Sequence, residues 1–223
     1  TSGRVTVDMT DSGDASSFPR WRSMGLVDKY TDVIPGLKNM YKGMYSKYGD
    51  WAQLGNNVIA PQYNTKLVSA AEAPKTWEDL LNPKWKGQIG LAKETRPWYV
   101  LALSEGGWGL EKTEDYLRKL KQQNIIWSSG LSAGHALLLA GEFKIMGWGN
   151  LRHVLNSQEK GSPVDWCRVS PLPVTGGTYL LMKKAPHPNA TRLFIEWQFS
   201  PQGLATYEKL TGYGNAYPGS GTK

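Results

Sequence analysis

Polar and aromatic side chains recur in short loops that directly follow apolar, strand-like runs of the chain. Asp14, Ser16 and Ser17 follow one such run, and Arg96 follows another. In open α/β sheets, ligands bind beyond the carboxyl ends of the strands, where backbone N–H groups and helix N-termini face them. These loops therefore predict non-covalent chemistry, namely ion pairs, hydrogen bonds and stacking against a small solute.

The first four candidates each have a structural alternative. Asp14 suits an amine or another donor, whereas Asp and Ser in this loop, including Ser16 and Ser17, are also ordinary helix caps. A guanidinium at Arg96 suits bidentate pairing with a carboxylate or phosphonate. The alternative for Arg96 is an ion pair with a surface acid such as Glu94.

Five more candidates lie at later strand ends. Trp98 and Tyr99 are suited to covering an organic ligand or stacking on a cation, and the alternative for both is core packing. Ser129 is suited to donating a hydrogen bond to an anion or to capping its own loop. Trp148 and Asn150 end a strand in a glycine-flanked setting, which we expect to expose them to a ligand.

Motifs of catalysis and of metal binding are not found. The sequence has no Walker loop or GxGxxG, and no serine–histidine or paired-carboxylate constellation stands out. His135, His153 and His187 are scattered without an i, i+4 pair, and Cys167 is the single cysteine. The sequence predicts a protein that is not an enzyme and needs no cofactor or metal.

Composition favours a globular protein with packed cores. Of the 223 residues 40% are hydrophobic and ten are tryptophan, and no apolar stretch approaches the length that spans a bilayer. The net charge of +7 comes from lysines interleaved with acids, so no nucleic-acid partner is predicted. The tryptophans suggest a carbohydrate- or polymer-binding module as an alternative, but Trp77, Trp127, Trp166 and Trp197 fall on helix faces and strands that favour core packing.

The stretch 63–99 organises the elements around these candidates. Thr76 is a good N-cap for a short helix, and Asp79 stands at the N3 position of the same helix. Asn82 precedes Pro83, which ends the helix, and Gly87 then releases the chain into a strand over residues 88–92.

Elsewhere strands alternate with helices at a spacing that indicates a parallel α/β architecture. An opening strand is predicted over residues 4–10. Near the C-terminal end, a helix over residues 189–199 has Leu193, Phe194 and Trp197 on its predicted apolar face.

Several ordered motifs resemble one protein family. They are PKTWEDLLNPKWKGQIGL at 74–91, AGE at 140–142, KAPHPNA at 184–190 and FSPQG at 199–203. The chain resembles, over nearly its whole length, the type 2 periplasmic solute-binding proteins of ABC transporters, in the branch that serves ferric ion, polyamines, thiamine and phosphonates. The resemblance implies a two-lobed α/β fold that closes on a small ligand at hinges near residues 63–65 and 170–174.

The resemblance also implies a domain arrangement and partners. The first lobe would comprise residues 1–65 and 170–223, including Tyr179, and the second lobe residues 66–169. We expect an extracytoplasmic or periplasmic location, a membrane permease as partner, and a small anionic or zwitterionic organic ligand. Ferric ion is the alternative ligand, although the adjacent tyrosines usual in ferric members have no counterpart here.

One departure from the family concerns the start of the chain. Members usually have two strand–helix units before the strand expected at residues 4–10. Without them the first lobe would have an unpaired sheet edge and uncovered apolar surface, so self-association is a further expectation.

Overall fold

The chain divides into two compact units. A computed structural model describes residues 6–13, 17–94, 96–103 and 106–219. The first unit comprises Thr1–Asn57 and Thr175–Lys223, and the second comprises Val58–Val174. These bounds differ from the expected 1–65, 66–169 and 170–223 because a single ten-residue strand, Gly55–Asn64, runs through the first crossing.

The described elements are short strands alternating with helices. The strands are β1 (Met9–Ser12), β2 (Val27–Asp28), β3 (Ala52–Gln53), β4 (Gly55–Asn64), β5 (Ile89–Ala92), β6 (Ile126–Ser128), β7 (Ile145–Asn150), β8 (Val164–Trp166), β9 (Val174–Thr175), β10 (Thr178–Met182) and β11 (Gly214–Asn215). The α-helices are α1 (Phe18–Ser23), α2 (Arg96–Leu101), α3 (Leu110–Lys121), α4 (Leu131–Ala140), α5 (Leu151–Glu159), α6 (Pro188–Gln198) and α7 (Pro201–Thr211).

The sheet of the second unit has a parallel centre. Strand β5 pairs in parallel with β6 on one side and with β7 on the other. Strand β7 pairs antiparallel with β4, which also pairs with β8. The predicted parallel α/β architecture therefore applies to β5, β6 and β7, whereas the strands around β4 are antiparallel.

A capping box positions the chain that enters β5. The Asp79 N–H donates to the Thr76 hydroxyl at 3.1 Å, and the Asp79 carboxylate accepts from the N–H groups of Thr76 and Lys75. These backbone donors lower the pKa of Asp79, with the Lys75 N–H as the largest cause. The capped segment is a 3-10 helix, Glu78–Leu81, and Gly87 follows with a φ of +71°, as the predicted stop and turn require.

The first unit is organised around β10. Strands β1, β2 and β3 all pair antiparallel with it. The opening strand was predicted over residues 4–10, but β1 runs from Met9 to Ser12. Asp8 precedes the strand, and its carboxylate accepts a hydrogen bond from the backbone N–H of His187 at 2.5 Å.

Helix α6 exposes the face that its sequence marks as apolar. Ile195 and Thr191 are buried in the first unit, whereas Leu193, Phe194 and Trp197 are exposed. The predicted burial of these three residues is therefore wrong within this structure. Phe194 and Trp197 contact each other instead, with ring centroids 6.2 Å apart.

Candidate functional site

Three loops and three helix starts meet at one edge of the second unit. Because β5, β6 and β7 are parallel, their carboxyl ends lie at the same edge of the sheet. Lys93 and Glu94 follow β5, Ser129 follows β6, and Asn150 ends β7. Helix α5 begins directly after Asn150, and helices α2 and α4 begin two residues after Glu94 and Ser129.

The helix starts at this edge favour negative charge. The described first turns of α2, α4 and α5 contain no acidic residue. Gly130 precedes α4 and has no side chain that could cap it, and the Asn150 side chain makes no capping hydrogen bond to α5. N-terminal N–H groups carry partial positive charge, so this edge is electrostatically suited to an anionic group.

A cavity opens at the same edge. Its volume is about 410 Å³, and it is lined by Ala92, Lys93, Glu94, Trp98 and Trp127. Trp127 is 56% exposed because β6 is the last strand in the described order of this sheet. The cavity thus combines an exposed indole ring with one lysine and one glutamate, which suits a small organic molecule that carries charge.

Trp98 connects the cavity to an aromatic cluster below it. Its ring lies 6.0 Å from Trp77, 6.0 Å from Tyr116 and 6.4 Å from Trp148, measured between ring centroids. Trp98 is only 9% exposed. It therefore forms part of the core and also lines the wall of the cavity.

Trp148 is buried, and its expected exposure is wrong. It is 1% exposed, although Gly147 and Gly149 flank it. These glycines serve close packing: a Cβ on Gly147 would lie 2.8 Å from Leu91, and one on Gly149 would lie 2.4 Å from Gln62. Within the described chain, the Trp148 Nε1 is buried without a hydrogen-bond partner.

A buried hydrogen-bond network holds the start of α5. The Gln62 Nε2 donates to the carbonyl of Asn150 at 2.9 Å, and the Gln62 Oε1 accepts from the His135 Nδ1 at 2.8 Å. The other ring nitrogen of His135 lies 2.8 Å from the Ser157 hydroxyl. Burial, with a smaller contribution from His153, lowers the pKa of His135 to about 4, so the ring is neutral at pH 7. Asn150 itself is only 7% exposed, so its expected exposure is wrong as well.

The remaining predicted residues are distributed over both units. Tyr99 is 58% exposed on α2, and Ser129 is exposed at the edge of the second unit. Ser17 directly precedes α1 in the first unit. Asp14, Ser16 and the side chain of Arg96 lie outside the described residues.

Tyr179 lies in the first unit beside a residue that the sequence analysis did not select. It is half-buried on β10, directly opposite Asp11 on β1. Burial raises the pKa of Tyr179, and the charge of Asp11 adds to this effect. Asp11 had been placed in the loop that follows the first strand, so only the strand register identifies it.

The described ranges of the chain contain no group of three or more His, Cys, Asp and Glu side chains placed to hold a metal ion. Cys167 is buried, and this burial raises its pKa to about 12.

The fold and this edge define a class of protein. An open α/β sheet whose strand ends lead into polar loops and helix N-termini is typical of proteins that bind small ligands. The profile of the family described as bacterial extracellular solute-binding protein matches residues 1–222, so the chain belongs to that family. The family is defined by solute binding rather than catalysis, as the sequence analysis predicted.

Similar proteins agree with this fold. Iron-bound HitA from Pseudomonas aeruginosa has a TM-score of 0.83 at 19% identity and covers 100% of this chain and 74% of its own. The periplasmic binding protein AfuA from Actinobacillus pleuropneumoniae, with exogenous fructose-6-phosphate bound, has a TM-score of 0.74 at 21% identity, covering 94% and 68%. The predicted type 2 periplasmic-binding-protein fold is thus confirmed.

A curated relative is similar over a shorter stretch. An uncharacterised protein of Haemophilus influenzae is 27% identical over 138 residues, which is 59% of this chain and 39% of that protein. The match thus spans about two fifths of that relative's length.

Among residues 6–13, 17–94, 96–103 and 106–219, none of the helices has the length and apolar character needed to cross a membrane.

Proposed function

We propose that the chain is the solute-binding component of an ABC importer and captures a small anionic or zwitterionic organic solute. The single observation that carries the ligand class is the carboxyl edge of the second unit. There a cavity of about 410 Å³ lies beside helix starts whose described first turns contain no acid. Membership of a family of extracellular solute-binding proteins supports the transport role.

Trp127 and Lys93 divide the recognition between them. The exposed indole of Trp127 provides a flat apolar surface for the carbon skeleton, and the ammonium of Lys93 attracts the anionic group. Glu94 lines the same cavity, and its negative charge suits the positive group of a zwitterion better than a second anion.

Ligand-induced stabilisation of the purified protein tests this function. The panel contains small organic acids, amino acids, fructose-6-phosphate, ferric citrate and a soluble oligosaccharide, and the readouts are thermal unfolding and calorimetric titration. A ligand that binds only the folded state raises the unfolding temperature, because it stabilises that state by RT ln(1 + [L]/Kd). We expect stabilisation by an anionic or zwitterionic compound without its chemical turnover.

Two variants assign the binding to this cavity. Trp127→Ala should lower the affinity for the ligand at least tenfold. Trp197→Ala is the matched control, since Trp197 is an exposed tryptophan of the first unit, and it should leave the affinity within twofold. Lys93→Gln should lower the affinity for anionic compounds several-fold and leave the affinity for neutral compounds unchanged. Equal losses in Trp127→Ala and Trp197→Ala, or stabilisation by the oligosaccharide or ferric ion alone, would refute the proposal.

The proposed partners follow from the same role. The partner that receives the solute is a membrane permease of the ABC type, and the proposed location is periplasmic or otherwise extracytoplasmic. Self-association through the first unit stays a prediction, and sedimentation velocity over a range of protein concentrations measures it. Exposed Leu193, Phe194 and Trp197 are the residues to change in that experiment.

A further inference from the structure

One lysine lies beside the same end of five neighbouring strands in the second unit. The strands lie in the order β8, β4, β7, β5 and β6. We call this end the amino edge, because β5, β6, β7 and β8 begin there and the antiparallel β4 ends there. Neighbouring strands are about 4.8 Å apart, so the five strand ends span about 20 Å. In the same order the lysines, which we call the lysine row, are Lys160, Lys66, Lys144, Lys86 and Lys121.

Backbone hydrogen bonds hold the segments of the lysine row together. The Asn64 N–H donates to the Lys144 carbonyl, and the Lys144 N–H donates to the Gln88 carbonyl, each at 3.1 Å. The Gly87 N–H donates to the Gln123 carbonyl at 2.7 Å, which joins the start of β5 to the chain that follows α3. Strand β4 is joined to β8 by its own pairing. The row is therefore a product of the folded sheet, since its members are scattered in the sequence.

The lysine row is not neutralised by ion pairs. Four of its members are exposed, and Lys144 is half-buried. Within the described ranges, the ion pairs of the second unit use other cations, namely Lys112, Arg118, Lys119 and Arg168. The ammonium groups of the row are therefore available to an anion from outside the chain.

Acidic residues near the amino edge are fewer than the lysines. Glu72 is one of them, and hydrogen bonds from Ser69 are the main cause that lowers its pKa, to which the charges of Lys84 and Lys144 contribute. Lys84 thus adds another positive charge at this edge, which has a net positive charge. The acids within five residues of the strand ends are Glu142 and Glu159.

The ends of α-helices account for two members of the row. Lys121 lies in the last turn of α3 and Lys160 is the C-cap of α5, where the partial negative charge of a helix C-terminus favours a cation. Lys66 and Lys86 belong to none of the described α-helices. These two lysines are therefore the strongest indication of an external anion.

An exposed leucine lies beside the row. Leu67 follows Lys66 and is 44% exposed. It lies over the end of α4, where a Cβ on Gly141 would be 3.5 Å from the Leu67 Cδ1. Lysines beside an exposed aliphatic side chain suit the surface of an anionic bilayer, because phosphates attract the ammonium groups and the interface accepts the apolar group. An acidic polypeptide would need the lysines alone.

We infer that the amino edge of the second unit binds the surface of an anionic phospholipid bilayer. Lys66, Lys86 and their neighbours in the row attract the headgroup phosphates, and Leu67 enters the interface between them. This inference goes beyond the proposed function, which concerns a solute at the opposite edge of the same sheet. Delivery of that solute to a membrane permease would bring the protein to such a surface.

Vesicle co-sedimentation of the purified protein tests the inference. One set of vesicles contains phosphatidylglycerol and phosphatidylcholine in a one-to-three ratio, and the other contains phosphatidylcholine alone. We expect binding at least tenfold tighter to the anionic vesicles, and we expect added salt to weaken it. The double variant Lys66→Gln with Lys86→Gln should lower the partition coefficient at least tenfold, and Leu67→Ser should lower it several-fold.

Matched controls separate this edge from the net charge of the whole protein. Lys38→Gln with Lys209→Gln removes the same charge from exposed lysines of the first unit and should keep the partition coefficient within twofold. Leu210→Ser is the control for Leu67→Ser, since Leu210 is 77% exposed in the first unit. Urea unfolding establishes that each variant folds, and Lys121→Gln with Lys160→Gln is a second double variant if the first one unfolds.

Several results would overturn the inference. These are equal binding to both kinds of vesicle, equal losses in the two lysine double variants of the first and second units, and the absence of binding to anionic vesicles. Polyglutamate that displaces the protein from vesicles, and binds the wild-type protein and Leu67→Ser equally, would assign the row to an acidic polypeptide instead.

The inference and the proposed function can fail separately. If solutes bind and anionic vesicles do not, the inference fails and the proposed function stands. If anionic vesicles bind through Lys66 and Lys86 and the solute panel gives no binding, the inference stands and the proposed ligand class fails. Solute affinity in Lys66→Gln with Lys86→Gln should equal that of the wild-type protein, because the two lysines lie at the other edge of the sheet.

Discussion

Acidification should destabilise the protein through His135. Its folded-state pKa of about 4 lies below its ordinary value of 6.5, mainly because the ring is buried. The unfolded chain therefore binds more protons than the folded one between these two values, and the stabilising contribution is complete above pH 6.5 and is lost as the pH falls towards 4. The difference corresponds to at most about 3 kcal/mol of unfolding free energy.

The titrating group has a defined set of neighbours. Gln62 Oε1 and the Ser157 hydroxyl contact its two ring nitrogens, and the ring of His153 lies 5.4 Å away between centroids. Burial lowers the pKa of His153 as well, so its titration acts in the same direction on stability.

Urea unfolding at pH 7.0, 5.5 and 4.5 measures the effect, because the midpoint and slope give the unfolding free energy at each pH. The variant His135→Gln lacks the titrating ring and should lose less stability across this range than the wild-type protein. His187→Gln is the control, since His187 is exposed and contacts Asp8. The reasoning is refuted if the wild-type protein and His135→Gln lose the same free energy between pH 7.0 and 4.5.

Two local predictions concern the second unit. Gly90→Ala would place a Cβ 2.2 Å from the ring of Phe143, and we expect urea unfolding to show a loss of about 1–3 kcal/mol of unfolding free energy. Gly130→Ala is the control, since its Cβ would meet nothing within 4 Å, and it should change the unfolding free energy little. Asp79→Ala removes the acceptor for two backbone N–H groups and should lower the unfolding free energy by about 1–2 kcal/mol at neutral pH. The difference from the wild-type protein should be smaller in acid, where the wild-type carboxylate is protonated. An unchanged urea midpoint at neutral pH would contradict the role of the cap.

Local chemistry made the entry to β5 predictable from sequence. Thr76 and Asp79 are three residues apart, and that spacing is sufficient for their reciprocal hydrogen bonds to close. Gly87 and the proline stop likewise act within a few residues. The whole capped turn was therefore predicted, apart from its being a 3-10 helix rather than an α-helix.

Where the predicted exposure of a residue was wrong, its burial or exposure depends on packing partners that are distant in sequence. Glycines beside Trp148 suggested exposure, but their partners Leu91 and Gln62 come from other strands and fill the space that the glycines leave. Trp127 was assigned to the core because it lies in a strand, yet β6 is at the end of the described sheet order and exposes it. Neither outcome can be derived without the strand order.

Strand register is also what separates Asp11 from the residues selected by sequence. Strand β1 ends at Ser12, two residues beyond its predicted end, and Asp11 is therefore a strand residue opposite Tyr179 rather than a loop residue. In an antiparallel sheet each single step of register exchanges the two faces, so the register, and not only the bounds of the strands, decides which side chains meet. Candidate residues within one loop can thus be proposed from sequence, whereas a pair contributed by β1 and β10, more than 160 positions apart, depends on the pairing itself.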